Sequence, residues 1–336
     1  MFGFFVTLKK MSFNKITFLF IILVLVLGCK PRNSEKSQNK IQQETKSEIS
    51  GTFSISGSDA LYPLVRKWAD DFMRIHASVK IAVTDGGTGK GIEDLKDKKS
   101  QLAMISRPLT DAELETGVWT VPVAKDGVAA IINMKNPYFK RILDRGLSPE
   151  EFHKVFINEK PVTWGELLDT TGKEKVEVFT RSDESGAAVV FAGFLNKESK
   201  DLKGTGVNGD AEMIKSIQMH PYSIGYCNFS YAFDPSTGDR VKDIQIVPAD
   251  LDYNNKISRK EIPFSNLEKA HRGLWLGLYP KVLCRELSIG SLGKPNAAAV
   301  VGFLKYILSE GQNNIKASGL CELNDVYVRY SLENLK

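Results

Sequence analysis

Cysteine is scarce and unpatterned in this chain. Four occur in 336 residues, at Cys29, Cys227, Cys284 and Cys321, with no Cys-x-x-Cys spacing, which argues against a thiolate metal site and against a disulfide framework. Histidine is equally sparse: His76, His153, His220 and His271 stand in no mutual pattern. There is no His-Glu-x-x-His and no Gly-x-Ser-x-Gly around Ser185, so neither zinc nor serine hydrolase chemistry finds an anchor. Gly89-Lys90 has the centre of a phosphate loop, but Gly91 stands where a Ser or Thr is required and Thr84 where the first glycine belongs. A phosphatase would need a nucleophile or paired metals, and neither is visible, so the chain is not expected to be an enzyme. The apolar run from Ile16 to Gly28 has 13 residues, short of the roughly 20 that span a membrane. Charge of one sign is also lacking: 45 Lys and Arg stand against 40 Asp and Glu, which gives no reason to invoke nucleic acid.

What is present begins at the amino terminus. Lys9, Lys10 and Lys15, with no acid, precede that apolar run, and a small residue closes it: a basic, an apolar and a cleavage region in the order of a secretory signal over residues 1–28. Val26-Leu27-Gly28-Cys29 resembles the lipobox of bacterial lipoproteins, which implies that Cys29 is lipidated and becomes the first residue of a membrane-anchored, exported protein. Loss of residues 1–28 removes three lysines and no acid, so the formal net charge falls from +5 to +2. Residues 29–50 then hold almost no large apolar side chains and read as a flexible tether. Three thiols remain; a bridge between Cys284 and Cys321 and simple buried thiols are both open.

From Thr52 onward short β-rich runs alternate with amphipathic stretches, the pattern of an α/β fold with a largely parallel sheet. The runs FSISG, VKIAV, AMIS and VEVFTR are expected strands. Leu61, Leu64, Val65, Trp68, Phe72 and Ile75 recur at helical spacing after the first, and Pro63 sits in that helix's first turn, where it is tolerated. Ser148 to Glu151 and Thr163 to Glu166 read as capping boxes. Three times a strand ends in a Gly/Ser/Thr turn where the next helix begins: Gly57-Ser58-Asp59, Gly87-Thr88-Gly89 and Ser185-Gly186. Each leaves unpaired N–H groups at the positive end of a helix. One such turn is ordinary capping; three at the carboxyl ends of strands can converge on one anion. Arg181, at the end of its strand, is placed either to fork two oxygens of that anion or to form a surface salt bridge.

The segments Gly57 to Pro63, Gly87 to Gly91, Ser106-Arg107-Pro108 and Arg181 to Gly186 occur in the order and rough spacing of periplasmic phosphate-binding proteins. VPVAKDGVAAIINMKNP, SIGYCNFSYAF and GKPNAAAVVGFLKYILSEGQ resemble that family too, so the likeness covers nearly all of residues 51–322. It implies a type II periplasmic-binding-protein fold of two α/β lobes joined by two crossovers. Lobe 1 is expected at 51–129 plus 270–336 and lobe 2 at 130–269, with phosphate between them. Carried over by position, Ser58, Thr88, Arg181, Ser185 and Gly186 would contact phosphate, with the backbone N–H groups of Ala60, Leu61 and Ala187. Alanine at 60 and 187 removes two hydroxyls that many relatives have. Where some relatives use an aspartate in the third loop, this chain has Ser106 and Arg107, and Arg107 would add a charge contact. The acceptor for the proton of hydrogen phosphate would then be Asp59 or Asp183, whose alternative role is helix capping. The implied partners are inorganic phosphate and the permease subunits of an ABC transporter, with the chain itself a monomer. Two other readings stay open: a receptor for another oxyanion such as sulfate or molybdate, and a surface lipoprotein on the same fold.

Asp250, Asp252, Asn254, Lys256, Ser258 and Glu261 fall at positions 1, 3, 5, 7, 9 and 12 of an EF-hand-like calcium loop, with Asn255 in place of the usual glycine. Structural calcium there competes with a plain polar connection, since no two clear flanking helices accompany the loop.

Overall fold

The computed structural model describes residues 49–258, 261 and 264–335. The expected signal, the lipidated Cys29 and most of the tether lie outside these. Among the described residues no helix is long and apolar enough to cross a membrane.

The chain opens as β1 (Gly51–Gly57), α1 (Tyr62–Ile75), β2 (Val79–Thr84), α2 (Gly87–Lys96), β3 (Leu102–Ile105) and α3 (Asp111–Leu114). A long β4 (Val118–Asn133) leads to α4 (Phe139–Arg145), α5 (Pro149–Phe156), α6 (Trp164–Leu168), β5 (Glu177–Arg181) and α7 (Gly186–Phe194). There follow β6 (Thr205–Val207), α8 (Gly209–Met219), β7 (Ser223–Asn228), α9 (Phe229–Ala232) and β8 (Ile244–Ile246). The last elements are α10 (Leu267–Leu276), β9 (Cys284–Leu292), α11 (Ala298–Ile307) and α12 (Asp325–Asn334). Ser148 and Thr163 form the expected capping boxes, and Thr110 with Glu113 forms a third at the start of α3.

The strands run in the order β2-β1-β3-β9-β4-β7-β5-β6, with β8 also on β4. The expected largely parallel sheet is in fact mixed. β1 pairs parallel with β2 and β3, and β5 with β6 and β7, but every pairing of β4 and β9 is antiparallel. The reason is that these two strands carry the chain out of the first half and back. Their ladder shifts register between Pro122 and Ala124, where proline has no N–H to give and a bulge bends the strand.

Side chains along β4 change cores as it passes. Val121, Val123 and Ala124 pack with Trp68, Phe72, Phe303 and Leu304; Val128, Ala130 and Ile132 pack with Phe152, Trp164 and Phe191. Ala129 and Ile131, on the other face, join Phe229, Phe233 and Ile246. On the return, Leu283 still belongs with the second set, whereas Leu287 and Ile289 belong to the first. Residue 270, the expected edge of the second lobe, lies inside α10, whose Leu267, Ala270 and Leu274 pack against the second half. Cys227, Cys284 and Cys321 are all free thiols.

Candidate functional site

The site is built where strands end and helices begin. β1 stops at Gly57, whose φ of +130 and close approach to the Met104 carbonyl leave no room for a side chain. The turn that follows folds on itself: Leu61 and Tyr62 donate to the Ser58 carbonyl, while the amides of Asp59 and Ala60 take no partner among the described residues. Ser58 itself is 1% exposed, and its Oγ has no hydrogen-bond partner. A buried hydroxyl left this way carries a desolvation cost of about 1–3 kcal/mol, which a ligand oxygen would offset.

From the second half, β5 ends at Arg181 and α7 starts at Gly186. Ser185 caps α7 by accepting from the Ala188 amide at 3.3 Å, which leaves the Gly186 and Ala187 amides unspent in the first turn. Arg181 is nearly fully buried. Its Nε donates to Asp183 Oδ1 at 2.7 Å, Nη2 donates to Asp183 Oδ2, and Nη1 donates to Asp210 Oδ2 at 2.9 Å. Asp210 in turn accepts from the Asn228 amide and side chain, both at 2.9 Å. This network fixes the guanidinium plane and leaves N–H bonds on both terminal nitrogens.

These parts converge on one small space, lined by Ser58, Asp59, Ala60, Gly87, Ser106, Arg181, Glu184, Ser185, Gly186, Ala187, Asp210, Asn228 and Arg285. Larger open clefts lie along Pro137–Arg145 and beside Pro108–Leu114, but the strand ends and helix starts converge on the small one. Eight expected residues line it: Ser58, Asp59, Ala60, Ser106, Arg181, Ser185, Gly186 and Ala187. Four others do not. Leu61 is fully buried in the first core with its amide spent on Ser58. Thr88 accepts from the Ser106 amide at 3.0 Å and so holds the third loop in place. Asp183 embraces Arg181 and accepts from Gly209 at 3.1 Å. Arg107 is held in a bidentate pair with Glu113, at 2.8 and 2.9 Å, because the capping box of α3 presents that carboxylate to it, and its Nη2 also lies 3.5 Å from Glu184 Oε1.

Of the residues that sequence reasoning missed, one lies within the Arg181 to Gly186 segment and three come from elsewhere in the chain. Glu184 reaches across to accept from the Gly89 amide at 2.8 Å, so the N-terminus of α2 is occupied by a protein carboxylate. Asp210, Asn228 and Arg285 come from α8, β7 and β9, and no local signal marks them. Burial, reinforced by the nearby Asp183, raises the Asp59 carboxyl above the ordinary aspartate range, although the Gly86 amide donates to it at 3.2 Å. Burial also works to raise Asp183, but the Arg181 guanidinium overrides it and holds that carboxyl low.

In the acidic loop, carboxylate oxygens of Asp250, Asp252 and Glu261 lie within 4.8 Å of one another. Asn255 takes φ +57, the left-handed turn that a glycine normally makes in a calcium loop. Asp250 accepts from the amides of Asn254 and Asn255, and Glu261 from those of Leu251 and Ser258, so these acids are already satisfied within the loop. Lys256 donates its own amide to Asn254 Oδ1 at 2.8 Å.

The chain belongs to the PBP superfamily: the family model described as PBP superfamily domain matches residues 42–310. The fold is the two-lobed type II arrangement, with β4 and β9 as the crossovers and the cavity between the lobes. Among solved structures, an ABC-type phosphate transport receptor from Vibrio cholerae superposes with a TM-score of 0.62 at 20% identity, covering 81% of this chain and 100% of that one. A substrate-binding protein with bound phosphate from Clostridium perfringens gives 0.62 at 22%, covering 82% and 100%. The phosphate-binding protein PstS of Bacillus subtilis (strain 168) is 26% identical over 228 residues, which is 67% of this chain and 73% of that protein. The PstS of Pseudomonas aeruginosa PAO1 is 28% identical over 213 residues, 56% of this chain, and the match spans 62% of its length.

Proposed function

We propose that this chain is an extracytoplasmic receptor that captures inorganic phosphate in the cavity between its lobes and delivers it to an ABC importer, without catalysing a reaction. One observation carries the reading: residues with unspent donors from both halves, at Ser58 Oγ, the Asp59, Ala60, Gly186 and Ala187 amides and Arg181, line one small space. The names of its relatives agree with it. On the packing of β4 and β9, the lobes divide as 51–124 with 287–335, and 128–283. The lipid anchor at Cys29 and a monomeric state belong to the same proposal.

Asp59 is the proton acceptor for hydrogen phosphate in this reading, since Asp183 is committed to Arg181. A carboxylate facing the ligand welcomes a protonated oxyanion and repels sulfate, which has no proton near neutral pH. Hydrogen bonds to charged groups are worth about 1.5–3 kcal/mol each, so a handful supports micromolar binding, which corresponds to about 8 kcal/mol. The test is calorimetric titration of phosphate, then sulfate, into the chain freed of bound anion, repeated with Asp59→Asn. Phosphate binds and sulfate is silent in the native chain, and the variant narrows that gap. Equal heats for both anions in the native chain would instead make it a general oxyanion receptor, and no heat with either would remove the transport function.

A further inference from the structure

Arg181 cannot by itself balance an entering oxyanion. It already faces two carboxylates, Asp183 and Asp210, and two more, Asp59 and Glu184, line the same cavity. A second guanidinium is present that the resemblance did not point to. Arg285 stands on β9, its side chain is 2% exposed, and it lines the cavity. Its Nη1 donates to the Ser106 carbonyl at 2.7 Å and its Nη2 to Asn228 Oδ1, which ties the third loop of the first lobe to β7 of the second. Its Nε is buried with no partner. The carboxylate beside it, Asp126, is its cross-strand neighbour on β4, yet the oxygen lies 3.6 Å from Nη2, beyond a good hydrogen bond. Asp126 spends itself on the Gly127 amide at 2.8 Å and on Ser230. A charge removed from water with an unfilled donor and a loosely held counter-ion is costly unless a further anion completes it.

The geometry shows where that anion would sit. A Cβ added to Gly186 would meet Ser106 Oγ at 2.5 Å and Arg285 Nη1 at 2.7 Å, so this guanidinium lies against the first turn of α7, where the unspent amides are. We propose that Arg285 is a second cationic ligand of the oxyanion, carried into the cavity by a crossover strand, and that Asp126 is the counter-charge that restrains it when the cavity is empty. The inference rests on the phosphate reading above. It adds that the anion is bonded to one of the two strands joining the lobes, so binding also fixes the crossover. Burial disfavours the charged form of both partners: it raises Asp126 to about 6 and lowers Arg285, as expected for a pair whose mutual compensation is incomplete.

The test is phosphate titration calorimetry on the full-length chain, native and as Arg285→Gln, Arg285→Lys and Asp126→Asn, with the melting temperature of each measured without phosphate. The native chain is read first: if it takes up no phosphate, the proposed function falls and this assignment with it. If it binds, the inference requires Arg285→Gln to weaken phosphate by about 100-fold, because a buried charged partner is lost. Arg285→Lys keeps most of the affinity, and Asp126→Asn tightens binding several-fold by releasing the guanidinium. The opposite signs at 285 and 126 separate a ligand from a structural pair. Should Arg285→Gln fail to fold, the lysine variant and the sign at Asp126 still decide. Unchanged affinity in Arg285→Gln, or weakening in both Gln and Asn variants that merely follows their loss of thermal stability, overturns the assignment.

Discussion

Arg107 and Arg181 are both arginines at strand ends, and they do different things because of the carboxylates that reach them. Glu113, six residues after Arg107, takes it bidentately and accepts the Thr110 amide at 2.8 Å as well. The Arg107 guanidinium, joined by this amide hydrogen bond, outweighs burial and holds the Glu113 carboxyl down at about 2. A carboxyl depressed on folding stabilises the native state above its unfolded value near 4.5, and that stability is lost as pH falls toward 2. Glu113→Gln is therefore expected to cost about 1–2 kcal/mol at pH 7, after allowance for solvent screening, and progressively less below pH 4.5. Urea midpoints of the two chains at pH 7 and pH 3 check this; a difference that stays constant with pH would refute it. At this scale the sequence was legible where a residue lining the cavity sits at a strand end or helix cap, as for Ser58, Arg181 and Ser185. It was not legible for Asp210, Asn228 and Arg285, which tertiary pairing alone delivers. Arg107 stands outside the lining because its partner is set by a capping box that local pattern had not marked.

At the scale of elements, the three helix starts that looked equivalent are not. α7 offers two open amides. The start of α2 gives its Gly89 amide to the Glu184 carboxylate, which already supplies negative charge there, and the turn before α1 spends two of its amides on Ser58. The anion is thus expected to rest on α7, with the β1–α1 turn as the opposing wall. Gly186→Ala tests that division of labour. Its methyl group would overlap Ser106 Oγ, the Ser106 carbonyl and Arg285 Nη1, so phosphate affinity should fall by at least an order of magnitude and the melting temperature without phosphate should fall by a few degrees as the third loop gives way. Native affinity in this variant would place the anion elsewhere. The strands and capping boxes could be read from local pattern because propensity and packing agree there. The long β4 could not: its 16 residues serve two cores in succession, and an apolar run does not record which neighbour each face meets.

For the whole molecule, the cores lie to either side of a pair of antiparallel crossovers, and the cavity is lined from both sides. Glu184 on Gly89 and Arg285 between Ser106 and Asn228 already link the lobes across it. The two-lobed design was readable only through family likeness, because alternating strands and helices alone point to an α/β sheet without saying that it divides. If a tetrahedral oxyanion occupies this space, arsenate will reveal it, since its heavy atom can be located by anomalous scattering. In crystals grown with arsenate in place of phosphate, the arsenate oxygens are expected within hydrogen-bond reach of Ser58 Oγ, the Gly186 amide and Arg181. An arsenic peak in the open cleft along Pro137–Arg145, or none in crystals of a chain that binds arsenate in solution, would contradict it.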